Sequence, residues 1–155
     1  MMYEKVKLSI ELIPYSTWGK NLRSILIQDE WDIVRKWCYK QANHRCEICG
    51  NKGKMECHER WGFNRSKRKQ ILLGVICLCS LCHKAKHLGR TQAVHPDLYS
   101  KVVHHIKEVN KWTDDEFKKY LKYIQDEYQK YGTKYWRLDI TWIEQFILVQ
   151  KEQMK

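Results

Sequence analysis

Two Cys-x-x-Cys pairs constrain this chain more than any other feature. Cys46-Glu47-Ile48-Cys49 is followed by Gly50, and Cys79-Ser80-Leu81-Cys82 comes after a loop of about thirty residues. Each pair turns tightly enough for its thiolates to converge on one ion, and Gly50 supplies the positive φ such a turn often needs. The spacing predicts a tetrahedral structural Zn2+ held by Cys46, Cys49, Cys79 and Cys82. Disulfides or unrelated core cysteines are the competing reading.

A second cluster overlaps the first. His83 and His87 are four residues apart, so a helix presents them on one side. His58 lies across the loop in a short stretch that reads as a strand. Two helix histidines and one strand residue make an incomplete ligand set around a second divalent ion, leaving positions for water or phosphate. The plainer alternative is a surface histidine pair without metal.

The remaining composition narrows the class. Among 155 residues, 7 Trp and 9 Tyr with 43% hydrophobic content suffice for a core. No stretch reaches the length of a membrane span, and the N-terminus lacks a signal-peptide pattern. Together with seven cysteines, an odd number, this predicts a cytoplasmic protein without a membrane partner. The net charge of +11 is uneven: residues 1–90 hold 18 of the 29 Lys and Arg but 8 of the 18 acids. The positive field therefore coincides with the cysteine-bearing half, where a polyanion would be handled.

The chain divides into residues 1–43, 44–90 and 91–155, expected to form one compact unit. Alternation over 5–13 reads as an edge strand ended by Pro14. Residues 15–28 form an arm bearing Trp18. Asp29 is expected to cap a helix over 30–43, with Trp31, Val34, Trp37 and Cys38 inward. Cys38 and Cys77 read as core residues, not ligands. Met55-Glu56-Cys57 begins a strand, 60–69 reads as a loop, 71–78 as a second strand, and 80–88 as a helix. In the loop, Trp61 and Phe63 stand among Arg60, Arg65, Lys67, Arg68 and Lys69, an arrangement that either stacks on bases or pins the loop. Residues 89–99 read as a loop and 98–109 as a helix with Leu98, Val102, His105 and Val109 on one face. His95, His104 and His105 read as surface or packing residues. Thr113 with Glu116 predicts a capped helix ending at Gly132. Residues 135–149 are apolar enough to complete a core, as strand or helix.

The order turn, strand, loop, strand, turn, helix over 44–88 resembles the zinc-clamped form of the His-Asn-His (HNH) nuclease family. Met55-Glu56-Cys57-His58-Glu59-Arg60 lies over the family's first strand. Gly74-Val75-Ile76-Cys77-Leu78-Cys79 and Ser80-Leu81-Cys82-His83 lie over its second motif, with His87 at the last histidine. The resemblance implies an α+β fold around a small ββα-metal core with a structural four-cysteine zinc. An N-terminal strand and helix and a C-terminal helical region would flank it. It also implies a metal held by His58, His83 and His87, either Mg2+, Mn2+, Ni2+ or Zn2+. Two positions depart from the family: the general base is Glu59 and the asparagine is Gly74. A one-residue shift would make Cys57 the ligand and His58 the base. The unshifted register keeps Met55 and Cys57 inward and leaves three histidines together.

The expectation is a metal-dependent nuclease acting on nucleic acid, DNA before RNA. His58, Glu59 and His83 would be catalytic, and Arg60, Arg65, Lys67, Arg68, Lys69, Lys84 and Lys86 would contact phosphate. The alternative is an inactive zinc-stabilised nucleic-acid-binding or regulatory protein. A third reading, gripping a protein partner, draws on Trp18 and the aromatic C-terminus; separately, a nuclease of this size that cuts both strands would need a homodimer or two encounters.

Overall fold

The computed structural model describes Tyr3 and residues 5–155. It shows a mixed α+β fold in which a small sheet is flanked by helices. A single-turn helix, α1 (Leu22–Ile25), leads into α2 (Gln28–Gln41). Strands β1 (Met55–Asn64) and β2 (Lys69–Cys79) form an antiparallel hairpin, and α3 (Ser80–Lys86) follows directly. Three further helices follow: α4 (Leu88–Val94), α5 (Pro96–Asn110) and α6 (Asp114–Tyr131). A short strand β3 (Arg137–Asp139) pairs parallel to β2, and α7 (Thr141–Gln153) closes the chain. The sheet order is β1-β2-β3, so β2 is central.

The N-terminal segment is not a strand. Its alternation is real, since Leu8 and Ile10 are buried, but its backbone partners belong to helices. Asn110 Oδ1 accepts from the N–H of Lys7 and Leu8 at 3.0 and 3.1 Å, and Asn110 Nδ2 donates to Leu8 O at 2.9 Å. Ile10 N donates to the Tyr120 hydroxyl at 3.0 Å, and Glu11 N to Lys86 O at 3.0 Å. Buried backbone polar groups need partners, and here side chains and a helix end supply what a ladder would. The segment is a strap across α3, α5 and α6.

Three other expectations shift. Asp29 lies in the first turn of α2, whose N-cap is Ile27. That helix ends where Asn43 and His44 take positive φ values of 52° and 55°. Most of 60–69 is strand, because the hairpin runs on to Asn64 and turns only over 65–68. Residues 89–99 are largely helical, with Pro96 opening α5 at a position where its missing N–H costs nothing. By contrast, α6 keeps its expected bounds. Thr113 and Glu116 form a reciprocal capping box, and Gly132 is the C-cap.

Beneath α2 the hairpin packs Met55, Cys57, Leu72, Cys77 and Leu78 into the core with Val34 and Cys38. Trp37 meets Phe146 of α7 edge-on at 4.9 Å, so the C-terminal helix joins the same core. Arg60 pairs with Gly74 and Trp61 with Leu72, leaving Leu73 as an extra, exposed residue in a bulge. Gly74, with φ +156°, stands at this kink.

Candidate metal centre

The first cysteine pair sits in a tight turn closed by Gly50 N donating to Cys46 O at 2.9 Å, with Gly50 at φ +77°. This turn is stitched to β2: Glu47 N donates to Cys77 O at 2.9 Å, and Cys77 N to Glu47 Oε2 at 2.7 Å. The second pair spans the junction of β2 and α3. Cys79 is the N-cap of α3, and its sulfur accepts from Cys82 N at 3.4 Å. One sulfur from each of Cys46, Cys49, Cys79 and Cys82 lies within 4.8 Å of the others. Cys49 Sγ and Cys79 Sγ are 3.6 Å apart.

Crowding separates the proton affinities of these thiols. A hydrogen bond from Cys82 pulls Cys46 down to about 4, and that same contact pushes Cys82 up. Burial pushes Cys49 up to about 11. Four sulfurs this close can all ionise only around a cation, so the donor set fits a thiophilic ion such as Zn2+. The remaining cysteines, Cys38, Cys57 and Cys77, are buried in the core, and no disulfide links any described cysteine.

His105 belongs to this cluster's surroundings. The helical spacing of α5 already put it on the buried face, and its Nε2 lies 3.2 Å from Cys82 Sγ. It is packed against a ligand cysteine, whereas His104 is exposed and pairs with Glu108 at 3.1 Å.

The histidine trio also draws on α3. His58 comes from β1, His83 from α3, and His87 is the C-cap of α3. One ring nitrogen from each lies within 4.8 Å of the others, and the ring centroids are 4.9–5.1 Å apart. His87 is pushed down to about 4 by burial and by the neighbouring His58 and His83, so at neutral pH it presents a lone pair.

Carboxylates back this trio. Glu56 Oε2 lies 3.2 Å from His83 Nδ1 and is otherwise a buried oxygen without a hydrogen-bond partner. Glu11 Oε2 is 3.0 Å from His58 Nε2. Burial alone would raise the Glu11 pKa, but the His58 hydrogen bond and nearby positive groups hold it below the ordinary carboxylate value. Three imidazoles, two of them in contact with carboxylates, are a donor set suited to a divalent cation. Neither Glu11 nor Glu47 carries a signal in the sequence, since their partners are far along the chain.

Glu59 divides its two oxygens between α1 and the trio. Its Oε1 accepts from Leu22 N at 2.7 Å, tying β1 to the start of α1, and its Oε2 stays 3.6 Å from His58 Nδ1.

The basic residues expected at phosphate divide into groups. Arg60, Lys67 and Arg68 are exposed. Arg65 is paired with Glu127 and stacked 4.3 Å over the Tyr131 ring, and Lys69 pairs with Asp139 at 3.1 Å. Residues 65–68 turn the hairpin and Lys69 pairs with Asn64, six positions along β1 from His58, a reach of roughly 20 Å. Lys84 Nζ donates to Ser80 Oγ at 2.7 Å. Lys86 corrects the expectation of a solvent-facing cation. It is 8% exposed, donates to Ser9 Oγ at 2.8 Å and faces Glu11 at 3.9 Å. Trp61 packs against the core, and Phe63 meets Trp136 edge-on at 5.8 Å.

No protein-family model, no curated protein and no solved structure matches this chain. Its own residues establish two clusters, four cysteines and three histidines, each able to hold a metal ion. Among the described residues, no helix is long and apolar enough to cross a membrane.

Proposed function

We propose that this protein is an HNH-like, metal-dependent nuclease that hydrolyses phosphodiester bonds of nucleic acid, DNA before RNA. One observation carries the reading. His58 of a hairpin and His83 and His87 of the helix after it converge beside a four-cysteine cluster on the same hairpin and helix. In this reading β1, β2 and α3 are a ββα-metal core, and Cys46, Cys49, Cys79 and Cys82 hold a structural Zn2+.

His58, His83 and His87 would hold Mg2+, Mn2+, Ni2+ or Zn2+, with Glu56 fixing the His83 ring from behind. When bound, such an ion supplies Lewis-acid stabilisation to a phosphate oxygen and to the leaving oxygen. Water activation falls to Glu59. With one oxygen already engaged by Leu22 N, that carboxylate is a less available base than a free imidazole. Arg60 and Lys84 would steady phosphate near the trio, while Lys67 and Arg68 would track the backbone further out. Residues 1–90 carry nearly all of the +11 charge, as a polyanion partner requires. Seven cysteines without a disulfide among them suit the reducing cytoplasm.

The second reading, binding without cleavage, is favoured by the same Glu59 contact and by Gly74. That glycine sits at a bulge beside Trp142, where a side chain to anchor the hairpin would otherwise stand. Plasmid nicking separates the two. Protein loaded in turn with each of the four ions should nick, and His83→Ala should abolish nicking while retaining the cysteine-held ion. Folded, metallated protein that leaves both DNA and RNA intact would overturn the nuclease reading.

A further inference from the structure

The N-terminal strap carries a half-buried acid into the histidine trio, and we propose that Glu11 is the residue that positions His58 for metal. This rests on the reading of His58, His83 and His87 as a metal site. His58 is 2% exposed and Glu11 16%, so their 3.0 Å contact is largely screened from water. With Nε2 held by a carboxylate, the ring plane and proton position of His58 are fixed, and Nδ1, which lies 3.6 Å from Glu59 Oε2, becomes the stronger ligand.

Glu11 is itself held on every side. Its N–H donates to Lys86 O at the end of α3, one residue before His87. Lys86 Nζ lies 3.9 Å from Glu11 Oε1 and donates to Ser9 Oγ, so it neutralises the acid and grips the strap. Leu8 and Ile10 anchor the preceding residues in the core, with Asn110 and Tyr120 satisfying their backbone. The strap itself needs only the apolar residues and the Asn110 bracket; the carboxylate at position 11 meets two groups, His58 Nε2 at 3.0 Å and, further off, the Lys86 ammonium at 3.9 Å. The shorter contact, and the only one at hydrogen-bond distance, is to the imidazole.

The test measures Co2+ affinity at the histidine site in zinc-loaded protein, after a mild chelator has cleared that site. Glu11→Gln keeps an acceptor but loses the charge, and should weaken Co2+ about tenfold. Glu11→Leu should weaken it by up to ~100-fold, the range for losing a carboxylate behind a ligating histidine. Both should retain the cysteine-held ion. Asn110→Ala loosens the strap away from His58, so it should lower the melting temperature yet leave Co2+ affinity within about twofold.

Wild-type affinity in Glu11→Leu would overturn the proposal. So would a loss in Asn110→Ala as large as that in Glu11→Leu, because the role would then be structural. If wild type and His83→Ala alike take up only the cysteine-held ion, the metal reading of the trio fails, and this inference falls with it.

Discussion

The two clusters share α3 but are built on opposite plans. The cysteine set is made by backbone: two tight turns, pinned by Gly50 and by the Glu47–Cys77 exchange, deliver four like donors to one point. The histidine set is made by side chains reaching across a gap between a strand and a helix, with Glu56 and Glu11 behind them. Four thiolates complete a tetrahedron and leave no position open. Three imidazoles do not, and that difference separates a clamp from a site that can exchange ligands.

Breaking the clamp should have the largest effect. Cys82→Ala removes a ligand, the N–H···S bond to Cys79 loses its setting, and His105 loses its partner. We expect loss of the cysteine-held ion and a fall in melting temperature of about 10 °C or more, read by elemental analysis and calorimetry. Breaking the trio should cost function and leave the fold. His83→Ala should take metal content from two ions per chain to one, with the melting temperature little changed.

The strap comes next. Asn110→Ala deletes bonds to Lys7, Leu8 and Ile106, and should cost about 2–3 kcal/mol in urea unfolding. Acid should then sharpen the contrast in metal-free protein. The folded-state pKa of His87, about 4, lies below its ordinary 6.5, so between these values the unfolded chain binds the extra proton. Stability should fall, on the order of 2 kcal/mol, as pH drops from about 6.5 to about 4. The Glu11 contribution is present above 4.5 and is lost only as pH falls through its lower folded value. Urea midpoints at pH 7 and pH 5 check this, and His87→Gln should flatten the difference. Smallest of all, Lys67→Ser and Arg68→Ser at the exposed tip should leave stability within ~0.5 kcal/mol. Each should reduce the salt dependence of DNA binding by about one ion.

Local spacing was legible wherever the chemistry is local. Cys-x-x-Cys, the four-residue step from His83 to His87, and Thr113 with Glu116 each depend on neighbours within a turn, and all three appear as expected. Alternation over 5–13 misled because it reports which residues are buried, not what their backbone bonds to. The outer half of β1 read as a loop because charges crowd it, yet exposed edges carry charge at no cost to pairing. His105 was legible by position on α5 and illegible by partner.

The sequence by itself determined that two metal-competent clusters exist and that they share one helix, because ligand spacing is set within a turn or across one hairpin. Only the tertiary structure decided what stands behind those ligands. It put Glu11 on His58, His105 on Cys82 and Glu59 on Leu22, and it turned Lys86 inward. Those partners lie 23 to 77 residues apart in the chain. They meet because the strap and α5 pack against α3 and the start of α1 packs against β1, and no local pattern encodes that meeting.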